Sequence, residues 1–412
     1  MSGAKKIRVD AKIGVTSAKG FRAGATTCGI KASGKPDLAV LVCDVEASAA
    51  AVFTTNKVTG APVQVSRAHL AKRQTMRGVV ASSGNSNVCT GARGLADAEE
   101  MTGLVARQIG CPSEAVLVAS TGVIGHFLPM EKVRPGIPKA LAHLAAGPKA
   151  NAAFARAILT TDTRPKQAGT RVRIAGRTVT IGGAAKGVGM IAPNMATTLA
   201  FLATDAAIEP AVLRAMLVRA AGATFNCLTV DGHMSTSDTM VLLASGLAMK
   251  GAGPIAEGSA EAAAFEAALE AVCASLAHQI VADAEGGTKV IDIRVTGAAS
   301  EAEARRAARA IADSPLVKCA FFGENPNWGR IVSAAGAAGI SSTGETMRLA
   351  LGDVVIFERG TPAEAAPKAL RKVMKGREIA VHLDLGAGRG EARCLTCDLS
   401  YDYVKINADY TT

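Results

Sequence analysis

Residues 186–205 read KGVGMIAPNMATTLAFLATD, and this stretch organises the rest of the chain. Residues 198–203 are an apolar run of strand length, and they follow abruptly on Pro193-Asn194, a turn-forming pair. Just upstream, residues 171–181 carry RVRI and RTVTI around an Ala-Gly dipeptide, the pattern of a hairpin. Working outward, residues 37–45 (DLAVLVCDV) and 114–120 (EAVLVAS) read as buried strands. Residues 211–221 predict an apolar helix stopped by Gly222. A long alanine-rich helix is predicted from a Ser259 cap to about Ala282. Residues 290–295 alternate as a half-buried strand should, and 378–385 do the same. Ser300-Glu-Ala-Glu303 is a capping box opening a helix to about Asp313. Strands and helices alternate without a repeat period, so the expected fold class is mixed α/β.

Composition excludes several classes of function. The chain has 412 residues, 49% hydrophobic and 20% charged, enough for a substantial core. No apolar run reaches the roughly 18–20 residues of a membrane span. Residues 1–22 hold six basic residues but no apolar signal core, and Asp10 argues against a transit peptide. A cytoplasmic protein with no membrane partner is expected. The net charge is +11, yet aromatics are 3% with one Trp, which argues against a base-stacking nucleic-acid surface. Residues 1–196 carry 26 Lys+Arg against 10 Asp+Glu, whereas 197–412 carry 20 against 25. Halves of opposite sign favour association, and a basic cleft attracts carboxylates. The nine cysteines are scattered, and Cys394-Leu-Thr-Cys397 lacks a second pair or nearby His, so structural thiols are expected rather than a metal site. Gly182-Gly183-Ala-Ala-Lys186-Gly187-Val-Gly189 follows a strand as phosphate loops do, but it lacks the GxxxxGK[ST] order.

None of the six histidines stands in a hydrolase or metalloprotease motif, so a Ser-His-Asp base is not evident. Two readings of Pro-Asn-Met-Ala-Thr-Thr at 193–198 are open. One is a turn that precedes a strand. The other is self-cleavage: the Thr197 hydroxyl attacks the Ala196 carbonyl, and hydrolysis of the resulting ester leaves Thr197 as a new N-terminus. A threonine with a free α-amine carries nucleophile and base together. An α-amine with a pKa of roughly 7.7–8.0 suits a general base.

The segment KGVGMIAPNMATTLAFLATDA resembles the cleavage segment of the ornithine acetyltransferases, a self-cleaving glutamate N-acetyltransferase family. Further matches run in family order through the whole chain: AAAVFTTNKVTGAPVQVSR near the start, ASTGVIG at 119–125, and ILTTDTRPK at 158–166. TFNCLTVDGHMSTSDT at 224–239, EGGTK at 285–289, GENPNWGRI at 323–331 and CDLSYDYVKINADYTT at the end complete the series. The resemblance implies that Thr197 is the nucleophile and that cleavage between Ala196 and Thr197 yields chains 1–196 and 197–412. It implies an oxyanion hole from Thr121 and Gly122, and substrate contacts from Thr160, Lys186, Thr197, Glu285, Asn407 and Thr412. Lys186 and Glu285 offer opposite charges to an amino-acid substrate, and which charge meets which group is open. Trp328 reads as a packing residue.

The chain departs from the family pattern at Ser82, at Val188, and at His233-Met234. The resemblance further implies a two-lobed α/β sandwich with an N-terminal-nucleophile-like fold, intertwined halves and an α2β2 heterotetramer. The implied reaction is ping-pong acetyl transfer from N2-acetyl-L-ornithine to L-glutamate, without metal or organic cofactor. Some members of the family also take acetyl-CoA as donor, which makes it a further candidate. Two rival readings are a self-processing aminopeptidase or amidase that passes the acyl group to water, and a non-catalytic ligand-binding protein.

Overall fold

The computed structural model describes residues 7–192 and 198–409. The larger of two sheets holds β1 (Phe21–Thr26), β2 (Leu38–Phe53), β3 (Thr75–Asn85), β4 (Val116–Val123), β5 (Lys166–Ile174), β6 (Arg177–Lys186), β7 (Leu199–Thr204) and β8 (Thr239–Ala244). Their order is β4-β3-β2-β8-β7-β6-β5, with β1 added against β2. The smaller sheet holds β9 (Val290–Ala298), β10 (Arg348–Leu351), β11 (Val354–Glu358), β12 (Thr361–Pro362), β13 (Glu378–Asp384) and β14 (Gly390–Cys397), in the order β12-β11-β10-β13-β9-β14. The helices are α1 (Ala61–Lys72), α2 (Gly91–Ile109), α3 (Met130–Ala142), α4 (Pro148–Ala157), α5 (Pro210–Ala223), α6 (Ala260–Val281), α7 (Glu301–Asp313), α8 (Pro315–Phe322), α9 (Trp328–Gly336), α10 (Pro367–Met374) and α11 (Tyr401–Asp409).

The larger sheet is buried on both faces, which explains why its strands read as continuous apolar runs. Strand alternation sends Leu38, Val40 and Val42 of β2 to one face, against Val65 of α1, Met101 of α2 and Ile137 of α3. Ala39, Leu41 and Cys43 go to the other face, where α4 supplies Phe154. At the far end of the sheet, α5 and α6 cover Leu202 and Leu242 with Leu217, Phe265, Leu269 and Leu276. A register shift between Val42 and Ala47 interrupts the β2–β3 ladder, which resumes at Ala47 and Ser48, while Ser48–Phe53 pairs with β8 on the other edge. The two wings of the sheet come together where Lys186 of β6 reaches Thr121 of β4. Leu117 and Ala119 of β4 share one buried cluster with Phe201 of β7 and Leu243 of β8, and Phe154 meets Phe201 edge-on at 5.4 Å. In the smaller lobe, Ala304, Ala308 and Ile311 of α7 pack on Ile291, Ile293 and Val295 of β9. Trp328 stacks on Phe357 at 4.9 Å, a packing role as expected. A Leu228–Leu395 bridge joins the lobes.

Several local expectations match the structure. The hairpin turns at Ala175 and Gly176, both at positive φ, as a two-residue connection between twisted strands requires. The Ser259 hydroxyl accepts from the Ala262 N–H and opens α6. Others are corrected. Gly222 does not stop α5, which runs to Ala223 and ends where the Thr224 hydroxyl bonds back to the Ala220 carbonyl. The capping box is half made: Ser300 accepts from the Glu303 N–H, but the Glu303 carboxylate turns to the N–H and hydroxyl of Ser341. Gly182 and Gly183 lie inside β6 and form no phosphate loop. A Cβ on Gly182 would overlap the Gly14 carbonyl, so glycine is needed for close backbone approach.

By length and composition α6 could cross a membrane, the one such helix among the described residues, but its apolar side chains fill the core beneath the sheet. Cys394 and Cys397 point into the interior from β14, and the Lys318 ammonium donates to the Cys397 carbonyl at 2.5 Å. The expected chain division, between Ala196 and Thr197, falls outside the described residues. Strands from either side of it interleave: β6 pairs with β7 from Lys186↔Leu199 onward, and β2 pairs with β8.

Candidate active site

A cleft of about 260 Å³ opens where the two wings of the larger sheet and the smaller lobe meet. Thr121 and Gly122 at the end of β4, Thr160 after α4, Lys186 at the end of β6, Glu285 after α6 and Asn407 on α11 all line it. Ala196, Thr197 and Thr412 lie outside the described residues. Thr198, the next residue after Thr197 in the sequence, lines the cleft.

Local sequence explains how each wall is built. Gly122 has φ +135°, and a Cβ there would overlap the Gly84 carbonyl carbon, so a side chain cannot be accommodated. This close approach lets β3 and β4 run to their ends in register, with an irregularity at Asn85. After α6, Gly286 has φ +66°, and a Cβ there would collide with the Tyr403 nitrogen, so glycine lets α11 close over Glu285. The Ser400 hydroxyl fixes that approach by donating to the Gly286 carbonyl at 2.5 Å.

A buried ionic network holds the cleft's floor. Lys166 is fully buried and donates to Asp162 Oδ1 at 2.6 Å and to Asp283 Oδ2 at 2.7 Å. Asp162 also accepts from the Gly187 N–H at 2.8 Å and the Thr160 N–H at 3.0 Å. Burial would raise the Asp162 pKa, but the charges of Lys186 and Lys166 and these hydrogen bonds hold it at about 2. Lys186 donates to Thr121 Oγ1 at 3.2 Å. Burial lowers the Lys186 pKa, and the negative charges of Asp162, Asp238 and Glu285 oppose that shift.

The connection leaving β6 is pinned residue by residue. Glu285 N–H donates to the Val188 carbonyl at 2.9 Å, and the Met190 and Ile191 N–H groups donate to Asp231 at 2.6 and 2.8 Å. Glu285 in turn accepts from the Thr161 hydroxyl at 2.6 Å and from Asn407 Nδ2 at 3.1 Å. A Cβ on Gly189 would overlap the Glu285 carboxylate, so this backbone passes directly against it.

Sequence reasoning missed part of the wall. Ser86, Thr161, Asp231, His233, Ser235, Asp238 and Tyr403 line the cleft too. Asp231 and Asp238 stand in the 224–239 motif already singled out, and their membership of that motif was the available signal. Of the departures from the family pattern, His233 faces the cleft. Ser82 is buried in β3 and bonds Ser120 at 2.8 Å, and Val188 is buried in the loop wall.

Comparison with known proteins adds an independent finding. The family model described as the ArgJ family matches residues 22–412. The arginine biosynthesis bifunctional protein ArgJ of Geobacter sulfurreducens is 48% identical over 395 residues, covering 96% of this chain and 99% of that protein. ArgJ 1 of a Nostoc species is 45% identical over 408 residues, covering 97% and 98%. Among solved structures, the ornithine acetyltransferase of Mycobacterium tuberculosis in complex with ornithine is 38% identical, covers 46% of this chain and all of that chain, and has a TM-score of 0.44. A family model that spans nearly the whole chain, together with full-length relatives at this identity, decides the matter: the chain belongs to the ArgJ family.

Proposed function

We propose that the chain cleaves itself between Ala196 and Thr197 and then carries the acetyl group of N2-acetyl-L-ornithine to L-glutamate on the Thr197 hydroxyl. Membership of the ArgJ family makes it an acyltransferase of arginine biosynthesis. The observation that carries the finer reading is convergence: Thr121, Gly122, Thr160, Lys186, Glu285 and Asn407, spread over nearly 300 positions, line one cleft beside Thr198.

In this reading the Thr197 α-amine takes the hydroxyl proton, and the oxygen attacks the acetyl carbonyl. The oxyanion is received by the Thr121 hydroxyl and the Gly122 N–H, each such donor being worth about 10²–10³ in rate. Thr121 Oγ1 already accepts from Lys186, which leaves its own proton free to point at the oxyanion. Glu285, held by Thr161 and Asn407, offers carboxylate oxygens to a substrate ammonium, and Lys186 offers the opposite charge to a substrate carboxylate. Ornithine leaves, glutamate enters the same cleft, and its amine takes the acetyl group. Thr412 would complete the substrate contacts. Acetyl-CoA is a second candidate donor. Cleaved halves sharing one sheet would stay together, and pairing of two such units gives an α2β2 assembly working in the cytoplasm.

The test is direct. Denaturing mass spectrometry of the folded protein should give chains of 196 and 216 residues (412 − 196), whereas Thr197→Ala stays at full length. Incubation with N-acetylornithine alone should add one acetyl group to the fragment beginning at Thr197, and glutamate should remove it. Intersecting initial-rate plots with an unlabelled fragment would replace this mechanism by direct transfer in a ternary complex.

A further inference from the structure

One polar group in the cleft has no role in the chemistry described so far. Asp238, the residue before β8, is 3% exposed and lines the cleft, and its Oδ2 has no hydrogen-bond partner among the described residues. The hydroxyl of Thr198, which precedes β7 as Asp238 precedes the parallel β8, is likewise buried in the cleft wall without a partner among the described residues. A buried carboxyl oxygen left without a partner costs stability unless something else bonds to it. Both residues line a site that handles amines, and both leave hydrogen-bonding capacity unused there.

We infer that the Asp238 carboxyl exchanges a proton with the substrate amine during acyl transfer. The inference rests on the acyl-transfer reading given above. As the acetyl C–N bond breaks, its electron pair goes to the ornithine nitrogen, which takes the carboxyl proton of Asp238. The proton of the Thr197 hydroxyl stays on that residue's α-amine. Glutamate enters as an ammonium ion and returns a proton to the Asp238 carboxylate, which frees its nitrogen to attack. The α-ammonium then gives its proton back to the departing oxygen. The further proton that ornithine gains in solution equals the one glutamate sheds on acylation.

Electrostatics support the assignment. Burial pushes the Asp238 carboxyl well above the ordinary range, against a hydrogen bond from Ser235 and the charge of Lys186. Around the cleft it faces Lys186 from β6, Thr198 from the start of β7, Glu285 after α6, Tyr403 from α11, and Asp231, His233 and Ser235 from its own loop. A carboxyl whose pKa is raised keeps its proton to higher pH than an ordinary one and is better suited to act as an acid toward a poor leaving group such as an amine.

Leaving-group chemistry tests this. In the cleaved protein, acetylation of the Thr197 fragment is timed with N-acetylornithine and with p-nitrophenyl acetate, whose phenolate leaves without a proton. Asp238→Asn, nearly identical in shape, should lose about 10²-fold or more with N-acetylornithine, yet react with p-nitrophenyl acetate at close to the wild-type rate. Asp238→Ala should recover activity toward N-acetylornithine when formate is added. Equal losses with both donors, or full activity of Asp238→Asn toward N-acetylornithine, would overturn the inference. Should Asp238→Asn not fold, absence of formate rescue in Asp238→Ala overturns it equally. Wild-type protein that is acetylated by neither donor removes the acyl-transfer reading itself, a result separate from any difference between variants.

Discussion

Lys186 Nζ donates a hydrogen bond to Thr121 Oγ1 at 3.2 Å, although their strands stand five places apart in the larger sheet. In a flat sheet five strand spacings would separate them by roughly 24 Å. The bond therefore shows that the sheet curls until its β4 and β6 ends meet. The cleft lies where those ends meet, so the candidate chemistry depends on the curl as much as on the residues themselves.

Lys166→Met should destabilise the protein by about 3–5 kcal/mol, because it leaves Asp162 and Asp283 buried without their shared cation. Urea unfolding of the cleaved protein measures this. A loss under about 1 kcal/mol would mean that water replaces the lysine, since that is the range of an exposed ion pair.

Asp162 adds a dependence on pH whose sign is set by its low pKa. Its folded value of about 2 lies below the unfolded value, so its contribution is complete above the unfolded pKa of roughly 3.9. That contribution is lost as pH falls toward 2. Stability measured across this acid window should fall more steeply in wild type than in Asp162→Asn, and equal slopes would remove Asp162 from the account.

Gly122→Ala should cost at least about 1–3 kcal/mol in stability, since φ +135° is hostile to a side chain and the overlap is with Gly84 backbone. Activity should fall further than stability explains, because relief of the clash moves the Gly122 N–H. Wild-type turnover in a folded Gly122→Ala protein would show that this N–H does not serve the oxyanion.

Asn407→Ala removes a hydrogen bond to Glu285 at 3.1 Å. At about 1 kcal/mol for such a bond, KM for both amino acids should rise about fivefold, with self-cleavage unchanged. Deleting 407–412 should raise KM further. Normal kinetics in that truncation would make the tail purely structural.

Much of the fold is legible because burial writes itself into composition. A sheet covered on both faces gives the unbroken apolar runs at 37–45 and 198–203, whereas β9 and β13, wet on one side, alternate. The failures differ in kind. Glu303 left its capping box because Ser341, 38 residues away, offered two donors, a partner invisible to local sequence. Gly222 continued as helix and the chain turned off at Thr224, two residues on, so that error was one of choosing between neighbouring local signals.

The sequence by itself determined the mixed α/β class, the core helix behind Ser259, and, through motifs in family order, the ArgJ kinship and the candidate residues from Thr121 to Asn407. Only the tertiary structure decided that Asp162 ties Thr160, Lys166 and Gly187 together, and that Asp238 and Thr198 line the same cleft with Oδ2 and Oγ1 unpartnered among the described residues. The physical reason is range. Propensity and periodicity act over a few residues, whereas a buried charge takes its meaning from whichever groups the curled sheet brings within a few ångströms.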